Sequence, residues 1–232
     1  MPLIIRAKLW RDGTTEPGWQ IEYTDADPLT GVSCGLWNYR GSSVGSPVAS
    51  IHFDDYMLHN TRGRLLASDS FSRESASGWG SAEAGGTWTL TGGLPGKATV
   101  SGGRGAFALA PGGGGTAYLN SVPTATSRSR VTFSPEFGPE NGAFYVGLES
   151  RVTGTSGYRG SAFMRPNGSV WVLIQRTGET AGYFVLPSTT WAAGQTWHLR
   201  SETVDPDERT PFAWIGQRAI TRALISGQEV KP

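Results

Sequence analysis

From residue 4 onward, apolar and polar side chains alternate in short runs. Ile4, Arg6, Lys8 and Arg11 alternate imperfectly with Ile5, Ala7 and Leu9, a period of two that predicts a β-strand. Asp12-Gly13 signals a turn, and residues 19–23 give a second alternation, so the chain opens on a hairpin. Further strands are predicted at 31–39, 50–57, 87–91, 98–100, 105–110, 115–119 and 129–133. Longer ones are predicted at 142–151, 158–165, 169–176, 181–186 and 196–203. Glycine-rich turns, among them residues 112–115 and Asn167-Gly168, separate them. Many short strands with regular turns predict an all-β sandwich or jelly roll. One segment breaks the period. In residues 210–226, Phe212, Ile215, Ala219, Ile220, Ala223 and Leu224 recur at helical spacing. Thr210 serves as N-cap, Pro211 fits the first helical position and Gly227 is a natural stop. This predicts a C-terminal amphipathic α-helix whose apolar stripe needs a partner surface.

Composition sharpens the class. The 232 residues include 33 glycines, and only 17% are charged. A net charge of +1 gives no strong field toward nucleic acid or anionic membrane. The one cysteine, Cys34, lies in an apolar run and reads as a small buried thiol. Met1-Pro2 leads directly into a strand, with no basic region, apolar stretch or cleavage site of a secretory signal. No apolar run approaches the length of a membrane span.

The stretch "DSFSRESASGWGSAEAGGTW" contains Asp69, Phe71 and Arg73, then Gly78-Trp79-Gly80, then Gly85-Gly86 and Trp88. This resembles the start of a concanavalin A-like (laminin G-like) jelly-roll module. Such modules occur in secreted actinobacterial proteins and in tail proteins of phages that infect those bacteria. The opening stretch resembles the far end of the same module, through residues 5–10, 13–19, 32–37 and 53–56. The order is therefore inverted. The resemblance implies residues 1–58 as C-terminal-half strands, 59–68 as a link, 69–204 as the N-terminal part, and 205–232 as a linker and helical tail. Three arrangements follow: a module permuted within one chain, strands swapped between subunits, or two incomplete modules in a fragment of an array.

Chemistry is sparse. His52, His59 and His198 are scattered, without zinc spacing. The acidic residues Glu202, Asp205, Asp207 and Glu208 are interrupted by Pro206 and lack the same-face placement that glycoside hydrolysis needs. Asp54 and Asp55 with Asp69 form the one hard-ligand set, a candidate Ca²⁺ site where first and last strands of the module would lie together. The competing reading has Asp54 and Asp55 capping strand ends and pairing with Arg73. Among nine tryptophans and the tyrosines, Trp37, Tyr39, Tyr158 and Tyr183 are the glycan-stacking candidates. The expectation is a non-enzymatic structural or adhesion protein of a phage virion, a minor tail or decoration protein. It would be made in the host cytoplasm and assemble with other virion proteins or as a homo-oligomer through the helix. The alternatives are a lectin-like carbohydrate-binding module of a secreted protein and, third, a glycoside hydrolase.

Overall fold

The computed structural model describes residues 1–42 and 47–206. The opening segment forms β1 (Leu3–Arg11), β2 (Ile21–Asp25), β3 (Ser33–Arg40) and β4 (Ala49–His59). Then come β5 (Leu65–Asp69), β6 (Thr89–Leu90), β7 (Ala98–Ser101), β8 (Arg104–Leu109) and β9 (Gly114–Tyr118). The longer strands are β10 (Ser127–Pro135), β11 (Phe144–Thr153), β12 (Ser156–Met164), β13 (Ser169–Arg176), β14 (Glu179–Thr190) and β15 (Trp197–Val204). The predicted helix at 210–226 lies outside the described residues. Within them, no helix is long and apolar enough to cross a membrane.

These strands make two antiparallel sheets packed as a sandwich, an arrangement compatible with a jelly roll. The eight-stranded sheet runs β2-β1-β15-β10-β4-β8-β7, with β5 also paired to β4. The seven-stranded sheet runs β14-β13-β12-β11-β3-β9-β6. Of the opening strands, β2 lies at a sheet edge and the other three are interior. β1 lies between β2 and β15, β4 between β10 and β8, and β3 between β11 and β9. Within this chain, then, residues 3–59 complete the sheets begun by later strands. The stretch read as a link holds β5, hydrogen-bonded to β4 with Tyr56 opposite Asp69.

The sandwich core follows from the alternation. Leu3, Ile5, Ala7 and Leu9 of β1 point inward and are buried, as are Val131 and Phe133 of β10 and Val170, Val172 and Ile174 of β13. At one end the aromatic residues condense. Trp79 stacks on Phe107 at 4.0 Å and meets Phe71 and Trp88 edge-on at 5.0 and 5.2 Å. Phe71 adopts φ 52, and its N–H donates to Asp69 Oδ1 at 2.9 Å in a tight turn. Gly105 opposite must lack a side chain, because a Cβ there would lie 2.6 Å from the Phe71 ring.

The outer face of the eight-stranded sheet is charged and self-neutralising. Glu202, almost fully buried, accepts from Arg6 at 2.8 Å and Arg200 at 2.8 Å, with Arg128 at 3.6 Å. Glu16 from the β1–β2 loop pairs with Lys8 at 2.7 Å and Arg200 at 3.0 Å. Trp19 in that loop lies 4.5 Å from the Arg6 guanidinium and 4.7 Å from Lys8 Nζ, a cation–π cover over the charges.

Candidate functional site

An outward sheet face normally carries threonine, lysine and glutamate. The outer face of the seven-stranded sheet instead carries aromatics, because the alternation of β3, β11, β12 and β13 sends Leu36, Val146, Ala162 and Val172 inward and Trp37, Tyr145, Phe163 and Trp171 outward. Pairing register lines the rings up across the strands. Tyr39 is opposite Tyr145, Tyr145 opposite Phe163, and Phe163 opposite Trp171. Tyr145 and Phe163 stack at 4.1 Å and 6°, and Trp171 stacks on Tyr183 at 4.8 Å and 17°. Trp37, two residues from Tyr39 on β3, lies 6.3 Å from it and nearly parallel. Self-stacking braces the row at roughly 0.5–1.5 kcal/mol per pair. It still leaves Tyr183 59% exposed, with Phe184 and Val185 beside it at 37% and 42%.

Next to the rings runs a polar row. Glu149 is opposite Arg159, and Arg159 is opposite Gln175. Arg159 donates through Nε to Glu149 Oε1 at 3.1 Å and through Nη2 to the same oxygen. The Tyr118 hydroxyl donates to Glu149 Oε2 at 2.9 Å. Burial and the neighbouring Glu149 charge push the Tyr118 phenol up to about 12, so it stays a donor at neutral pH. The Arg159 guanidinium lies 3.8 Å above the Trp37 ring. Between the rows, Gly147 keeps the floor low. A Cβ there would sit 2.6 Å from Arg159 Cδ, displacing the side chain that links both rows.

The result is an open depression of about 390 Å³ lined by Trp37, Tyr145, Arg159, Phe163, Trp171 and Tyr183 among others. Flat apolar rings beside fixed donors and acceptors suit a ligand with apolar faces and a hydroxylated rim.

Of the candidates read from sequence, Trp37, Tyr39 and Tyr183 share this face. Tyr158 does not. It points into the sandwich with no exposure, donating to Asp25 Oδ2 at 2.5 Å and accepting from Leu29 N–H at 3.0 Å. It tethers the loop after β2 instead of offering a ring to a ligand. Tyr145, Phe163 and Trp171 belong to the face but were not among the candidates. Their signal is the outward phase of an alternating strand, which tells facing sides apart only once the core side is known.

The acidic set is not gathered into a metal site. Asp69 is fully buried, and its oxygens accept from Arg73 at 2.6 and 2.8 Å and from Trp88 Nε1 at 2.6 Å. With those oxygens committed, Asp69 has no place in a calcium shell. Asp54 Oδ1 accepts from the Asp55 N–H at 2.8 Å where β4 bulges at Asp55, φ 49. Arg73 thus pairs with Asp69 itself. Among the described residues no three His, Cys, Asp or Glu side chains come together to hold a metal.

One further constellation is visible only in three dimensions. His198 Nε2 lies 2.9 Å from Asp12 Oδ1 and Nδ1 lies 3.0 Å from Thr132 Oγ1. Thr132 is buried mid-strand in β10, so the chain of contacts ties the β1–β2 loop to β15 and β10. Cys34 is buried, and burial pushes its thiol up to about 12, which leaves it unreactive at neutral pH.

Together these features define an antiparallel β-sandwich with a row of aromatic rings on the outer face of one sheet. Set against known protein families, curated proteins and solved structures, the chain finds no match.

Proposed function

We propose that this protein is a non-enzymatic adhesion module that binds glycan on the aromatic face of its seven-stranded sheet. The observation that carries the reading is the solvent-facing row of Trp37, Tyr39, Tyr145, Phe163, Trp171 and Tyr183 beside the Tyr118–Glu149–Arg159–Gln175 row. Contiguous apolar surface of this kind marks interaction sites, since it is not needed for the core. The sequence resemblance supplies the setting of the proposal: a minor tail or decoration component of a virion, with the C-terminal segment as its assembly contact. The same face would serve a lectin-like module of a secreted protein.

The test is a glycan array probed with the full chain, repeated with Trp37→Ala and Trp171→Ala. Binding to a defined glycan class is expected, weakened at least about tenfold in each variant, a loss of about 1.4 kcal/mol. Near-ultraviolet circular dichroism reports whether each variant keeps its fold. Folded variants that bind as well as the parent overturn the assignment of the face.

A further inference from the structure

The aromatic depression does not end at Trp37. A second depression of about 270 Å³ shares Trp37, Arg159 and Gln175 with it and continues to Tyr118, Glu149 and Val152. A third, of about 370 Å³, shares Tyr118, Val152 and Gly154 with the second and reaches Val32 and Asn120. The three succeed one another beside β3 and β11, from Tyr39 of β3 to Val32 just before it and from Tyr145 to Thr153 of β11. At about 3.3 Å per residue, the seven steps from Tyr39 to Val32 make a groove of roughly 23 Å.

Resting on the glycan reading above, we infer that this groove holds an internal stretch of a linear, extended polysaccharide of the β-1,4-linked type, not a chain end or a single sugar. Three observations lead there. The depressions share lining residues and run obliquely across the strands of the sheet face, so a ribbon-like chain lies along them where a coiled α-linked chain would rise off the sheet. Its lining changes along its length, from rings at Tyr145 and Trp171 to the Tyr118–Glu149–Arg159 bonds and then to the small polar end at Ser33, Asn120 and Thr153. Successive sugar rings thus meet first stacking surface and then hydrogen-bonding groups. A peptide fits the floor poorly. β9, β3, β11, β12 and β13 are each paired on both sides, so no free backbone groups are offered to an added strand.

The experiment is titration calorimetry of the full chain with cello-oligosaccharides and chito-oligosaccharides, from disaccharide to hexasaccharide. Affinity for at least one series is expected to climb at least about thirtyfold between disaccharide and hexasaccharide. Thr153→Trp, an exposed change that plugs the far end, should cut hexasaccharide affinity at least about tenfold. A flat dependence on length, with binding abolished by Trp171→Ala, overturns the extended groove and leaves the glycan face standing. Binding on the array confined to α-linked or branched glycans overturns the ligand class. Absence of binding to any glycan overturns this inference and the function proposed above together.

Discussion

At the scale of single residues, Asp69 shows how a buried charge is held. It accepts from the Phe71 N–H, both terminal nitrogens of Arg73 and the Trp88 indole, so every lone pair facing the core has a donor. Asp69→Asn leaves Arg73 without its counter-ion and forces an amide N–H₂ against donors. A loss of about 3 kcal/mol is expected, read as a lower urea midpoint at unchanged slope. A loss below about 1 kcal/mol would show that the cluster stands on packing alone. Asp25 makes a pH-dependent case. Burial alone would raise its carboxyl, but the Tyr158 hydroxyl and the Arg176 guanidinium outweigh burial and hold it below the ordinary value. Because the folded value is the lower one, the contribution is complete above the unfolded value of about 3.9 and disappears as pH falls through the folded value. The parent should therefore lose more stability between pH 5 and 2 than Asp25→Asn, although the variant starts lower. Equal slopes in acid would remove Asp25 from the account.

At the scale of elements, the interior position of β1, β3 and β4 decides what truncation does. Deleting residues 1–58 removes strands with neighbours on both sides, splitting each sheet and baring apolar faces and edges. Residues 69–204 alone are expected to be insoluble or molten, without a cooperative melt. A sharp melt with native-like near-ultraviolet dichroism would mean that the later strands re-pair without them. The strands themselves are legible in sequence because period two survives in runs such as Ile5–Leu9 and Val131–Phe133, and because Val170–Ile174 is an unbroken apolar run of strand length. β5 was missed, since "LLASD" is short and its alternation is swamped by the polar stretch before it. The aromatic face is half legible. An aromatic at an outward position reads in one dimension like an aromatic in the core, which is why buried Tyr158 was grouped with Trp37 while Tyr145 and Trp171 were passed over. The acidic set misled for a related reason. Asp69 sits next to Asp55 and Tyr56 across β4 and β5, but Arg73, four residues on, reaches its carboxylate at once.

At the scale of the whole molecule, one continuous core fills the space between the two sheets, and among the described residues no three His, Cys, Asp or Glu side chains gather for a metal. Millimolar calcium added after chelation is accordingly expected to leave the melting temperature unmoved. A site at 100 times its dissociation constant would add about 2.7 kcal/mol and announce itself as a shift of several degrees. The pairing of β1 with β15 has a consequence in time as well. Ile4 lies opposite Val204 in the pairing, and Arg11 opposite Trp197. A ribosome adding about 5–20 residues per second delivers β15 roughly 10–40 s after β1. Throughout that interval the first strand to emerge has an apolar face and no partner on one side. The nascent chain is then a waiting, sticky intermediate whose yield depends on translation speed and on chaperones that shield Ile5 to Leu9. In a refolding tube, where all strands are present at once, that delay vanishes. Refolding from urea at low concentration should then outperform synthesis in a cell-free system stripped of chaperones.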